Sequence, residues 1–560
     1  MSDTQPVLTD LPSHERADHV FPTLSADQVA RIAPHGQRHA ITAGEVLVEA
    51  GDPNVPCFVV ISGRLDIVRR DGSTELLVAS HGPGQFSGEA NMISGRRALF
   101  QVRVRTNGEV VRLERAQVSA LVQDEAEIGA VLMRAFILRR VELITNGVGD
   151  AVLLGSQHSP ATLHAREFLS RNGHPYTYID VERDADTEVL LQRFHVGVAD
   201  VPVLICRGER VLKNPTNQEI AECLGFNDAI DRSHVRDLVV VGAGPAGLAA
   251  AVYGASEGLD VLVLESAAPG GQAGSSSRIE NYLGFPTGIS GQDLAGRAYT
   301  QAQKFGAQII IAGGAAELTC NRKPYSIRTD SGSVVSARTV VIATGAQYRK
   351  PSVQDLSRFE GAGVYYAATP MEAQLCTGEE IIIVGGGNSA GQAAVFLAGS
   401  CRRVHVLVRS AGLSETMSRY LIRRIEENPN ITLHAHTEIT TLNGKDHVSG
   451  IVWRHNQTGA VEERDIRHVF LMTGAVPNTG WLEGCVAMDT NRFVKTGPDL
   501  SKEDLVAARW PLSRDPLLLE TTLPGVFAVG DVRSGSMKRV ASAVGEGSVA
   551  ISFVHRVLQE

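Results

Sequence analysis

Two stretches of this chain repeat one plan, and that repetition limits the folds open to it. DLVVVGAGPAGLAAAVYGASEGLDVLVLES, from Asp237, reads as a strand, a glycine turn, a helix and a second strand closing on an acid. EEIIIVGGGNSAGQAAVFLAGSCRRVHVLVRS, from Glu379, reads the same way. In the first, Gly242-x-Gly244-x-x-Gly247 has the dinucleotide spacing. Gly242 permits the tight turn, Gly244 lets a pyrophosphate reach the backbone at the helix amino terminus, and Gly247 lets helix and strand pack closely. Pro245 and Ala246 complete the turn. Glu265, 23 residues after Gly242, stands where a carboxylate accepts from ribose hydroxyls. In the second, Gly385-x-Gly387-x-x-Ala390 carries a tolerated alanine in third place, with Asn388 and Ser389 opening the helix. The position 23 residues after Gly385 is Val408, and Arg409 follows it. An arginine there pairs with a 2′-phosphate. The two fingerprints together imply FAD at the first site and NADPH at the second.

The rest of the 560 residues is organised around this pair. Of the 56 glycines, 38 fall in residues 236–560, where backbone turns are densest. Residues 1–20 read as a tail. Short strands between glycine turns over residues 21–145 read as a β-roll followed by two helices. Residues 150–226 read as a small α/β unit. The net charge of −9 argues against a nucleic-acid partner. The polar amino terminus is not a signal peptide, and no apolar run is long enough to span a bilayer, so a cytoplasmic, non-membrane protein is expected. Seven cysteines, none spaced C-x-x-C, suggest neither a disulfide framework nor a local metal site.

Residues 236–560 resemble low-molecular-weight thioredoxin reductases. The motifs run in order: Gly242–Gly247, Gly270-Gly271-Gln272, Glu280-Asn281-Tyr282, Ala343-Thr344-Gly345, the second fingerprint, Thr473 to Asn478, and Gly525 to Asp531 with Gly530 before the aspartate. The resemblance implies a flavoprotein with two dinucleotide-binding, Rossmann-like domains. FAD would be bound by residues 236–350 and 479–560, and NADPH by an inserted domain, 351–478. It implies that Gln272, Asn281 and Asp531 contact the flavin or its ribityl chain, and that the protein is a homodimer. Arg539, ahead of a carboxy-terminal helix, is a candidate for the flavin's pyrimidine edge. One departure is chemical. The family carries two cysteines in a Y-C-A-T-C-D-G stretch, whereas here Tyr366-Ala367-Ala368-Thr369-Pro370-Met371-Glu372 aligns with it. Ala367 and Pro370 cannot relay electrons as thiols, so no redox-cysteine pair is expected there. Cys376, six residues on, reads as a packed thiol without a nearby partner.

Residues 150–226 resemble glutaredoxin or thioredoxin-like folds, with Ser159-Pro160-Ala161-Thr162 opening a helix and Val201-Pro202 at the cis-proline position. Serine and threonine stand where the thiols would be, which implies a redox-inactive docking unit. Residues 20–143 resemble cyclic-nucleotide-binding domains through Gly88-Glu89 and Arg96-Arg97-Ala98. The resemblance makes Glu89 a candidate for the ribose and Arg97 for the cyclic phosphate, although their spacing of eight is short. The function expected is hydride transfer from NADPH to FAD and onward to a small-molecule or protein acceptor, without an internal dithiol. Alternatives are thioredoxin-disulfide reduction proper and a flavin- or nucleotide-sensing protein with little turnover.

Overall fold

The computed structural model describes residues 18–71, 74–89, 91–182, 200–207 and 210–560. Most of the expected tail, residues 1–17, lies outside them, as does the stretch 183–199 of the middle unit. The chain divides into two compact units. The first runs through residue 157 and adds residues 165–230 and 308–312; the second holds residues 158–164, 231–307 and 313–560.

In the first unit, alternating apolar residues build an antiparallel roll. Strands β1 (Gln37–Ile41), β2 (Val46–Val48), β3 (Cys57–Asp71), β4 (Thr74–His81) and β5 (Gln101–Leu113) form a sheet of order β1-β5-β3-β4, with β2 also on β5. Helices α1 (Arg115–Asp124) and α2 (Ala126–Thr145) follow, the two helices expected after the roll. Phe86, Met92, Leu121, Leu132 and Phe136 pack α1 and α2 against the roll. Next come β6 (Ala151–Gly155), α3 (Pro160–Arg171), β7 (Tyr176–Asp180), β8 (Val203–Cys206), β9 (Arg210–Lys213) and α4 (Asn217–Leu224). Their sheet has order β7-β6-β8-β9, with β6 and β7 parallel and the other pairs antiparallel. The Val201–Pro202 peptide is cis.

In the second unit, β10 (Val235–Val241), α5 (Pro245–Ser256) and β11 (Val261–Glu265) make the first strand–helix–strand unit. The sheet continues through β12 (Ala315–Thr319), β13 (Tyr325–Thr329) and β14 (Val334–Ile342), with β10 parallel to both β11 and β14. Strand β15 (Ala346–Tyr348) leads out to a parallel sheet of β16 (Val364–Tyr365), β17 (Glu380–Val384), β18 (Arg403–Leu407), β19 (Ile431–His434) and β20 (His468–Leu471), in order β16-β20-β17-β18-β19. Helix α6 (Asn388–Leu397) joins β17 to β18, and α7 (Arg419–Glu427) precedes β19. Strand β21 (Ala475–Pro477) returns antiparallel to β15. Strand β22 (Val526–Ala528) then rejoins β14 in parallel, and α8 (Val540–Gln559) ends the chain. One nucleotide sheet is thus interrupted by another, and the chain crosses between them twice.

The cysteines correct the reading from spacing. Cys206 and Cys223 are disulfide-bonded, as are Cys320 and Cys485, with Cα–Cα distances of 6.6 and 5.8 Å. The partners lie 17 and 165 residues apart and meet through tertiary packing, which no local motif reports. Cys376 also has a partner: its sulfur lies 3.4 Å from that of Cys401, and both are buried. That neighbouring sulfur, together with burial, holds the Cys376 thiol well above its ordinary range.

Candidate cofactor and ligand sites

Register sets the first site. Val241 of β10 pairs with Ile342 of β14, so Gly242 and Ala343-Thr344-Gly345 leave the sheet side by side at its carboxyl end. That is where ligands bind in open α/β sheets. Gly242 has φ +104°, a conformation that favours glycine. A Cβ on Gly247 would collide with the Gly242 carbonyl oxygen. Gly244 is the N-cap of α5 and makes no side-chain cap bond, so the helix's first N–H groups have no such acceptor. Glu265 is buried; it accepts from the Ala243 N–H at 2.7 Å and the Ala267 N–H at 2.9 Å, and so stakes the glycine turn to the end of β11.

Later segments close on the same turn. The Gly270 N–H donates to the Ala243 carbonyl at 2.7 Å, and Gly271 faces Gly244. A Cβ on Gly530 would lie 3.0 Å from that of Ala246. The Gly530 N–H donates to Glu546 at 2.7 Å, and Arg533 pairs with the same carboxylate at 2.7 Å. Burial raises the Asp531 carboxyl above its ordinary range, opposed by Lys538. Gln272 and Asn281 are exposed, and exposed Arg539 is the N-cap of α8. Glu546, Arg533 and Gly547 were missed from the sequence, because their role depends on where α8 packs.

The second site repeats the geometry. Val384 pairs with Leu471, so Gly385 emerges beside Met472. Gly387 is the N-cap of α6 and again makes no side-chain cap bond, and nothing lies within 4 Å of where its Cβ would stand. Ala390 is buried on α6. The Asn388 side chain accepts from Ser418 N–H at 2.8 Å, and Thr416 donates to the Gly386 carbonyl at 2.7 Å. These ties hold segment 410–418 beside the turn, and sequence reading missed them. The Ser389 side chain meets the Tyr348 hydroxyl. Arg409 is exposed just past β18. Between the sheets, Thr344 donates to the Asn478 carbonyl at 2.7 Å and Asn478 returns a bond to the Thr344 carbonyl at 2.9 Å. Arg424 of α7 pairs with Glu280 at 2.7 Å. Both cradles therefore fit a dinucleotide: an open glycine turn, an uncapped helix start and, at the first, a buried acid.

In the first unit, Glu89 and Arg97 have other partners. Glu89 pairs with buried Arg140 of α2 at 2.7 Å. Arg97 is exposed, donates to the Gly51 carbonyl at 3.3 Å and packs its aliphatic stem against Gly225. Arg96 donates to the Asn172 carbonyl at 2.9 Å and lies 4.3 Å from the Phe226 ring centroid. The basic pair of the expected phosphate segment is thus engaged with the neighbouring α/β module.

Residues 38–125 match the family described as cyclic nucleotide-binding domain, and residues 236–547 match pyridine nucleotide-disulphide oxidoreductase. The thioredoxin reductase of Treponema pallidum (strain Nichols) is 33% identical over 317 residues, covering 56% of this chain and 94% of that protein. NADPH-dependent thioredoxin reductase 3 of Arabidopsis thaliana is 32% identical over 331 residues, and the chain spans only 58% of that relative's length. Among solved structures, the thioredoxin reductase of T. acidophilum shares 27% identity, covers 59% of this chain and all of its own, and has a TM-score of 0.52. These matches, on a chain whose two glycine cradles have the required geometry, make it a member of the pyridine nucleotide-disulphide oxidoreductase family, within the FAD- and NADPH-dependent, thioredoxin reductase-like branch.

Proposed function

We propose that this chain oxidises NADPH and passes the electrons to an acceptor without a dithiol at Ala367 and Pro370. Bound FAD supplies the chemistry, accepting hydride and releasing electrons singly or in pairs. The chain's own groups bind and orient. The α5 amino terminus with Gly242–Gly247 holds one pyrophosphate, and the α6 amino terminus with Gly385–Ala390 holds the other. Glu265 addresses a ribose, Arg409 a 2′-phosphate, and Gln272, Asn281, Asp531 and Arg539 the flavin side of the first cradle.

The observation that carries the proposal is the segment between β16 and β17 of the second sheet. Thr369 caps the helix Pro370–Leu375, Ala367 is half-buried and Pro370 is exposed, so the segment presents no thiol. The sulfurs of Cys376 and Cys401 sit in the apolar core of the inserted sheet. The acceptor is then a quinone-like small molecule, a one-electron protein or oxygen. The middle unit fits a docking role: Ser159 Oγ accepts from the Thr162 N–H at 3.4 Å at its helix start, and neither residue is a thiol. Homodimer formation belongs to the same proposal and is checked by light scattering.

Anaerobic titration of the holoenzyme with NADPH, followed by oxidised thioredoxin, quinone, one-electron protein and oxygen in turn, tests it. Rapid flavin reduction with turnover on a non-thiol acceptor supports the proposal. Robust thioredoxin reduction overturns it. Fast reduction with no turnover on any acceptor favours a sensor, a reading supported by the nucleotide-binding match at residues 38–125.

A further inference from the structure

A half-open cavity of about 70 Å³ lies between the β-roll and α2, and its walls are mostly apolar, including Phe21, Val78, Met92, Phe100 and Leu143. Ser87, Glu89, Asn91, His81 and Arg139 also line it; of these, His81 and Arg139 are each more than nine-tenths buried and carry an unpartnered nitrogen. Arg139, 4% exposed, donates to the carbonyls of Val20, Phe86 and Gly88, but its Nη2 has no acceptor. His81, 2% exposed, has an unpartnered Nδ1. The Phe21 ring links them, with its centroid 5.9 Å from that of His81 and 5.2 Å from the Arg139 guanidinium carbon.

The charge balance is uneven. Among the described residues no carboxylate forms an ion pair with Arg139, and the nearby Glu89 is taken by Arg140. Burial lowers the Arg139 pKa to about 10, which leaves it a cation at neutral pH. Burial and that cation hold His81 neutral. An unpaired buried guanidinium is costly, and an anion beside it offsets the penalty.

We propose that this cavity binds a small apolar monocarboxylic acid. One carboxylate oxygen accepts from Arg139 Nη2, and the other accepts from His81 in its Nδ1–H tautomer. The short hydrocarbon lies against the apolar wall. Size sets the class: a cavity of ~150 Å³ takes benzene, and pockets for drug-sized ligands run to about 300 Å³ or more. A cavity of about 70 Å³ therefore suits an acid of a few carbons better than a nucleotide. The diversion of Glu89 and Arg97 to protein partners points the same way.

The test is calorimetric titration of the full chain with butyrate, isobutyrate, the neutral amide isobutyramide, and cyclic AMP. Saturable acid binding is expected, at least about tenfold tighter than the amide, since loss of one charged hydrogen bond is worth that much. His81→Phe should weaken acid binding by about tenfold or more. Ala79→Leu, which fills the cavity from β4, should abolish it while leaving NADPH-driven flavin reduction intact. The wild-type acid–amide comparison stands even if a variant fails to fold. Equal binding of acid and amide, no acid binding, or displacement of the acid by tighter cyclic AMP would each overturn the proposal.

Discussion

Helix α8 carries two glycines two residues apart, and the structure gives them opposite consequences. Gly545 is exposed, with nothing within 4 Å of its would-be Cβ. Gly547 is buried, and its Cβ would collide with the Ala246 carbonyl oxygen and stand 3.0 Å from that carbonyl's carbon and 3.1 Å from the Ala249 Cβ. Either Gly→Ala change gains about 1 kcal/mol of helix propensity. In Gly547→Ala, α8 and α5 must also part by about 1 Å to restore ordinary contact, at an overpacking cost of about 1–3 kcal/mol. The propensity gain is common to both, so the difference between the variants isolates the packing term. For a domain of this kind that is about 2–4 °C in melting temperature per kcal/mol. Thermal unfolding by circular dichroism, with flavin fluorescence reporting release, reads both quantities. Gly545→Ala should melt higher than wild type. Gly547→Ala should melt lower than Gly545→Ala and release flavin earlier, because the displaced backbone belongs to the first glycine turn. Equal stabilisation by both substitutions would refute the packing of α8 on α5 described here.

Arg409→Ala should raise KM for NADPH by about 10- to 100-fold, the worth of a charged hydrogen bond, with kcat and NADH kinetics little changed. Steady-state kinetics with both nucleotides checks this. Arg424→Ala removes an ion pair whose side chains are 49% and 23% exposed, so the melting temperature should barely move. The rate of flavin reduction in stopped flow should shift by no more than about fivefold, because the pair is worth at most ~1 kcal/mol. Burial holds His405 and His434 below the ordinary imidazole range, with their rings in contact at 3.0 Å and Glu380 and Arg464 nearby. Their folded values are depressed, so their contribution is present above pH ~6.5 and lost as pH falls through those values. The melting temperature should drop on acidification through that window, and His434→Gln should flatten the drop.

What was legible from the sequence was local. The turns at Gly242 and Gly385 could be found because each fingerprint residue answers a demand set within its own strand–helix–strand unit: tight turn, open cradle, close packing. The roll and the two helices after it were legible because short strands alternate there with glycine turns. The partners of those residues were not legible, because they come from far along the chain. Glu546 reaches Gly530 only once α8 lies on α5. Glu89 sits in a recognisable motif, yet Arg140 on α2 takes it up, 51 residues on. The cysteines show the same limit: spacing speaks for motifs such as C-x-x-C, whereas Cys376 and Cys401 meet across a buried core.

The Cys320–Cys485 bridge has a consequence for a protein whose nucleotide sheets are nested. The chain leaves its first sheet, builds the second and comes back, so a single backbone cut in the guest would ordinarily leave the host in two fragments. Here the bridge spans the guest from one host segment to the other. A protease nick anywhere between residues 321 and 484 leaves β10–β12 and β22–α8 on one covalent frame. Damage to the guest and separation of the host halves become independent events, and the host can outlast a break in the segment that interrupts it.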